Sequence, residues 1–203
     1  MNKLLLCLTA AVLLFSIAVI CLWLCSEKSP VFLYYQKACN MNYGEGCYKL
    51  GNFYYTGEGV NKDYWRALAY YEQACKMNNA DGCGTLGVEY EGQFLRREGV
   101  KRDYQKAVSY YKKACHALNS GTWCNALGIF YESQKDYLGA KIYWDMACNL
   151  NDGRGCFNLG DLYRKGQGVS QNFQTAKQYF IKACDLGEPF GCDVYKQLNG
   201  MGY

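Results

Sequence analysis

Ten of the thirteen cysteines fall into five pairs, and their spacing constrains the fold more tightly than any other feature of the chain. The pairs are Cys39/Cys47, Cys75/Cys83, Cys115/Cys124, Cys148/Cys156 and Cys184/Cys192, eight residues apart in four cases and nine in one. Their leading members recur at intervals of 36, 40, 33 and 36 residues, the period at which helical hairpins repeat. Other residues return with them. An aromatic pair begins five residues before each leading cysteine (Tyr34-Tyr35, Tyr70-Tyr71, Tyr110-Tyr111, Tyr143-Trp144, Tyr179-Phe180). Alanine stands directly before it (Ala38, Ala74, Ala114, Ala147, Ala183), and the last four copies carry another eight before it (Ala67, Ala107, Ala140, Ala176). Offsets of three and four put alanine, aromatic and alanine on one stripe of a helix.

Three residues after the second cysteine comes Leu-Gly in four copies, followed three later by Tyr54, Tyr90, Tyr131 and Tyr163. These spacings again share one helical face, with glycine where a neighbouring helix approaches closely. Gly57-Glu58-Gly59-Val60, Glu98-Gly99-Val100 and Gly166-Gln167-Gly168-Val169 separate this helix from the next, glycine suiting the left-handed end of a helix. Asp63, Asp103, Asp136 and Asn172 then stand where an N-cap belongs. Each unit therefore reads helix A, turn, helix B. Departures fall in the turns, an insertion around Gln93 to Arg97 and a shortened Ser133-Gln134-Lys135, where an array tolerates change. The array opens on a lone helix B from Pro30, acceptable in a first helical turn, and closes on a degenerate helix A after Cys192.

Ten cysteines allow about 945 pairings, and the recurrence selects among them. Each leading cysteine is expected near the end of a helix B and each trailing one in the first turn of the next helix A, with a short loop between. The α-carbons then come within the ~5.5 Å that a disulfide needs, so five local bridges are expected. A zinc site does not fit: there is no C-x-x-C, and His116 is the sole histidine.

Leu4 to Cys25 carries no charge. About 20 such residues span a bilayer, and Lys3 ahead of the run biases the amino terminus toward the cytosol. Ser16-Ile17-Ala18 also suits a cleaved signal peptide, whereas a lipoprotein cysteine would want a small residue just before it, which Cys21 and Cys25 lack. Residues 1–25 are thus expected to be a signal peptide or an anchor, and 26–203 an exported domain, periplasmic or secreted. A net charge of +4 from 22 basic and 18 acidic residues offers no stripe for nucleic acid.

The string Leu-Gly-x-x-Tyr, Gly-x-Gly-Val, Asp and Tyr-Tyr-x-x-Ala resembles the Sel-1-like repeat, a relative of the tetratricopeptide repeat. With its paired cysteines the chain is similar to the Hcp (Helicobacter cysteine-rich protein) family over residues 30–198. The resemblance implies an all-α, right-handed αα-solenoid with a disulfide per helical pair. Some members of that family are described as penicillin-binding proteins or weak β-lactamases, so a β-lactam or peptidoglycan fragment joins a protein or peptide among the implied partners. No cofactor is implied. Ser109-Tyr110-Tyr111-Lys112 formally matches the S-x-x-K of serine β-lactamases, but no S-D-N or K-T-G accompanies it and both residues face outward from the buried stripe. No catalytic residue is assigned.

By resemblance to tetratricopeptide repeats, positions one, five and eight after each trailing cysteine face a concave groove. They are Tyr48, Asn52 and Tyr55; Gly84, Val88 and Glu91; Asn125, Ile129 and Glu132; and Phe157, Asp161 and Arg164. Their chemistry varies while Leu, Gly and Tyr beside them stay fixed. Tyr48, Asn52, Tyr55, Asn125, Phe157, Asp161 and Arg164 are the expected ligand contacts.

Overall fold

The computed structural model describes residues 29–92 and 102–202. Leu4–Cys25 and the insertion around Gln93 to Arg97 lie outside the described residues, among which no helix is long and apolar enough to cross a membrane. Ten α-helices make up the described chain. The B helices are α1 (Pro30–Asn40), α3 (Tyr64–Lys76), α5 (Tyr104–Lys112), α7 (Tyr137–Asn149) and α9 (Phe173–Asp185). The A helices are α2 (Gly44–Thr56), α4 (Ala80–Glu91), α6 (Gly121–Ser133), α8 (Gly153–Lys165) and α10 (Pro189–Gly200). Each helix packs on its sequence neighbours, and each A helix also touches the next A helix, which makes the A row the inner layer of the solenoid.

The caps explain where the helices begin and end. The carboxylates of Asp63, Asp103 and Asp136 and the amide of Asn172 accept backbone N–H groups from the first turns of α3, α5, α7 and α9, as the N-cap positions require. Ser29 does the same for Phe32 ahead of Pro30. Gly57 and Gly166 end α2 and α8 at φ values of 79° and 70°. The turns from B to A use a different device: Asn42, Asn78, Asn119 and Asn151 hold φ values of 62°, 59°, 49° and 60°. Asparagine tolerates this left-handed conformation better than other side chains.

Five disulfides close those turns, Cys39–Cys47, Cys75–Cys83, Cys115–Cys124, Cys148–Cys156 and Cys184–Cys192, with Cα separations of 4.5–4.7 Å. Four turns bring Cys-preceding glycine and alanine face to face. A Cβ on Gly46, Gly82, Gly155 or Gly191 would stand 2.7, 2.6, 2.4 or 2.8 Å from the Cβ of Ala38, Ala74, Ala147 or Ala183. The third turn is the exception. Its extra residue is absorbed by a π turn at Lys113–Ala117, and Trp123 stands where the others have glycine. A π turn takes up one added residue without ending the helix.

Between units, the first tyrosine of each B-helix pair stacks on the tyrosine of the preceding A helix. Tyr54/Tyr70, Tyr90/Tyr110, Tyr131/Tyr143 and Tyr163/Tyr179 have centroids 5.5, 5.6, 5.2 and 5.8 Å apart, with rings within 12° of parallel. The second aromatic lies over the A-helix glycine: Tyr71 on Gly51, Tyr111 on Gly87, Trp144 on Gly128 and Phe180 on Gly160. Trp144 is buried there with its indole N–H unpartnered, because the donor sits on the ring edge against Gly128 and not at the tip, where tyrosine carries its hydroxyl. At the amino end Tyr34 stacks on no A-helix tyrosine among the described residues, and it is 68% exposed. At the carboxyl end Lys196 and Asn199 replace the glycine and the stacking tyrosine, and Lys177 donates to Asn199 at 2.7 Å, closing the row.

A Cβ on Gly51 would stand 2.4 Å from the Tyr71 ring, whereas one on Gly200 meets nothing within 4 Å. Chemical denaturation is therefore expected to show Gly51→Ala destabilised by about 1–3 kcal/mol, and Gly200→Ala unchanged or stabilised by up to about 1 kcal/mol.

Candidate ligand groove along the A helices

The inner row carries the residues that the sequence pointed to, and most of their polar atoms already have partners. Tyr48 is half-buried against the Tyr71 ring, with Lys49 lying over its face. Asn52 accepts the Tyr71 hydroxyl at 2.8 Å through its side-chain oxygen, which leaves its two amide N–H donors for solvent or a ligand. Tyr55 packs on Tyr64, and Lys62 sits over its ring. Burial, reinforced by the nearby Glu89, raises the Tyr55 pKa. Gly84 has no side chain to offer, and Trp123 fills the space where its Cβ would be. Val88 packs into the core beside Tyr90. Glu91 accepts the Tyr111 hydroxyl at 2.9 Å.

Asn125 is only 4% exposed, and its oxygen is taken at 2.8 Å by the Nδ2 of Asn158, the half-buried residue one position further along α8 than Phe157. The outermost amide of that pair belongs to Asn158. Ile129 stands 47% exposed in the middle of the row. Phe157 packs against Phe180 and Phe190, with centroids 5.4 and 6.3 Å away. Asp161 is shared by two cations, Arg164 and Lys165, both at 2.5 Å.

Polar contacts also sew adjacent A helices together. The Trp123 indole donates to Asp81 at 3.0 Å, Asn79 at the head of α4 donates to Glu45 at 2.9 Å, and Thr122 donates to Asp152 at 3.3 Å. Ser109 and Lys112 are exposed on α5. His116 lies exposed in the π turn with its ring edge-on to Tyr143 at 5.7 Å. Among the described residues no three His, Cys, Asp or Glu side chains converge as metal ligands would.

Glu89 is the polar residue that pattern reading missed. It is 2% exposed, six positions after Cys83, where the other complete copies carry Phe53, Phe130 and Leu162. In the third unit Tyr104, the first residue of α5, meets that register as an edge-on contact with Phe130 at 5.7 Å. Tyr64, the first residue of α3, meets it instead as a very short hydrogen bond from its hydroxyl to the Glu89 carboxyl. Burial raises the Glu89 pKa, and the Tyr64 hydrogen bond opposes that rise without cancelling it. Burial likewise raises Tyr64, Tyr71 and Tyr111, each with Glu89 adding to the rise. A carboxylate at one apolar register position is a signal that the sequence did contain.

The Sel1 repeat family model matches residues 32–43, 44–79, 86–117, 119–152 and 153–188. The chain belongs to the Sel1 repeat family. It is similar to HcpC of Helicobacter pylori, 49% identical over 45 residues, covering 22% of this chain and 16% of that protein. It is also similar to cytochrome c oxidase assembly factor 7 of Xenopus tropicalis, 32% identical over 72 residues, covering 35% of this chain and 31% of that protein. Beta-lactamase HcpA of Helicobacter pylori is 39% identical over 54 residues, 27% of this chain and 22% of that protein. The matches thus span less than a third of each of these relatives. Among solved structures, a Sel1 repeat protein from Oxalobacter formigenes superposes with a TM-score of 0.69 at 27% identity, over 79% of this chain and 65% of that one. The protective antigen c5321 of uropathogenic Escherichia coli shares the fold with a TM-score of 0.71 at 24% identity, over 84% of this chain and 36% of that one.

Within this Sel1 scaffold, Glu89 makes stability depend on pH in a defined direction. A carboxyl whose folded pKa lies above its unfolded one contributes stability in full below the unfolded pKa, and that contribution is lost as pH rises through the folded pKa. Its ordinary value is 4.5, so the loss sets in above that pH. Thermal unfolding from pH 4 to pH 8 should therefore show Glu89→Gln gaining on the native chain as pH rises. A difference that stays flat or shrinks would mean that the fold does not raise the Glu89 pKa.

Proposed function

We propose that this Sel1 repeat protein is an exported scaffold that binds an extended peptide, a segment of a protein, or a peptide-bearing cell-wall fragment along its A-helix row. The observation that carries the reading is the contrast within each A helix. The glycine and leucine of every complete unit are buried in the same way, while the half-exposed neighbours change from Tyr48, Asn52 and Tyr55 to Phe157, Asp161 and Arg164. A solenoid with a constant frame and a varying inner face presents a long, private surface. Amides and charges on that face suit a polypeptide backbone, and Ile129, Tyr48 and Tyr55 supply apolar area. Export is supported by the uncharged run Leu4–Cys25 and by five disulfides, which persist in oxidising compartments. Whether that run is kept as an anchor or removed does not alter the groove.

A second reading, slow β-lactam hydrolysis, is favoured only by the word beta-lactamase in the names of the relatives HcpC and HcpA. Ser109 gives it no support, since its helix face is open to solvent and a nucleophilic serine needs a base and a desolvated lysine or histidine beside it.

Selection from a random twelve-residue peptide library on the oxidised full chain tests the first reading. Enriched peptides should bind more weakly to Asn52→Ala and Arg164→Ala by about 1–3 kcal/mol each, and Lys112→Ala on the outer layer should change little. No enrichment, or a loss confined to Lys112→Ala, overturns the groove. For the second reading, any turnover of a chromogenic cephalosporin should survive Ser109→Ala within about tenfold, or about 1.4 kcal/mol of barrier.

A further inference from the structure

The charges of the groove are unevenly placed, and their partners show which are left over. In α4, Asp81 accepts from the Trp123 indole and Glu91 from the Tyr111 hydroxyl. Both donors are neutral, so each holds its carboxylate in place without neutralising it. Among the described residues no lysine or arginine pairs with either of them, or with Glu132 in α6. In α8 the situation is reversed. Arg164 and Lys165 share the single carboxylate of Asp161, which leaves one positive charge over, and their side chains are 39% and 43% exposed. Among the described residues the row therefore runs from negative at α4 and α6 to positive at α8.

We infer, resting on the groove reading above, that the ligand is a peptide carrying a cationic side chain and, further along, a carboxylate, laid with the cation toward α4 and the carboxylate at Arg164 and Lys165. The partly exposed ring of Trp123 beside Asp81 adds cation–π surface for an ammonium or guanidinium group. Arginine is suited to a planar carboxylate, which it grips with two parallel donors. The separation follows from packing. Neighbouring helices stand about 8–10 Å apart, so α4 and α8, two steps apart, are about 16–20 Å apart, which an extended chain crosses in about five or six residues at about 3.3–3.6 Å each. The carboxylate is either a chain terminus or an acidic side chain, and both present the same two oxygens.

Fluorescent probes of the form acetyl-Lys, a Ser/Ala spacer of one to eight residues, then Leu with a free carboxyl separate the possibilities by anisotropy on the oxidised full chain. Binding should peak at a spacer of about four or five residues and fall at least tenfold when the lysine is acetylated. Amidating the carboxyl terminus should have the same effect if the terminus is the source, and an aspartate placed next to the amidated end should restore binding if a side chain serves as well. Glu91→Gln keeps the Tyr111 contact and should erase the lysine preference alone, while Arg164→Gln should erase the carboxylate preference alone. Peptides that bind with no preference for either charge, or with the two variants exchanging their effects, overturn the inference and leave the groove standing. If no probe binds and the random library yields nothing, both fall together.

Discussion

The close approach of each helix B end to the start of the next helix A is the constraint on which the remaining structure depends. A disulfide joins the two helices, and in four of the five turns an alanine and a glycine immediately before its cysteines touch so closely that a Cβ on the glycine would stand 2.4–2.8 Å from that of the alanine. Closing a loop of this size restricts the unfolded chain by on the order of 2–3 kcal/mol per bridge. Its structural consequence is greater, because it fixes the direction in which every A helix leaves its turn. The asparagines at positive φ lie inside the loops that the bridges close.

Once that direction is set, the units register themselves on one another through aromatic rings. The four stacked tyrosine pairs and the second aromatic lying on a glycine form a repeated contact across each A-to-B junction. The ends of the row lack one half of it. Tyr34 meets no A-helix tyrosine among the described residues, and Lys196 stands where a following ring would need glycine. The third turn shows how the constraint bends. A separation of nine between the cysteines in place of eight is taken up by a π turn, the small residue before the trailing cysteine is no longer required, and Trp123 uses the freedom to reach across to Asp81 and cover Gly84.

The same contacts shape the groove. Tyrosines that fill the core at their rings deliver hydroxyls to Asn52 and Glu91 on the A helices, so the side chains of the proposed groove are oriented from behind before any ligand arrives. Such preorganisation lowers the conformational cost of binding. Where the neutral donor is replaced by an ion pair, as at Asp161, the surface charge changes sign. Glu89 follows a separate logic: it lies beneath the face, its pKa raised by burial against the opposing hydrogen bond from the Tyr64 hydroxyl, and ties stability to pH.

The sequence by itself determined the helical units, their boundaries, the disulfide partners and the caps, because each of these is a local matter repeated with a fixed period. Asp63, Asp103, Asp136 and Asn172 cap their helices as their positions required, and the alanine and leucine stripes are buried. It also pointed to candidate positions on the A helices. The tertiary structure alone decided which of those side chains are free. Asn125 is covered and bonded to Asn158, Gly84 lies under Trp123, and Asp161 holds two cations, all through neighbours more than thirty residues away or through rotamers that no spacing encodes. Glu89 was visible as a lone carboxylate in an apolar register, yet only packing supplied the Tyr64 hydroxyl that accounts for it. A repeat fixes the backbone frame by periodicity, whereas charge and hydrogen-bond partnership arise from side chains meeting across units, and those meetings exist only once the helices are stacked.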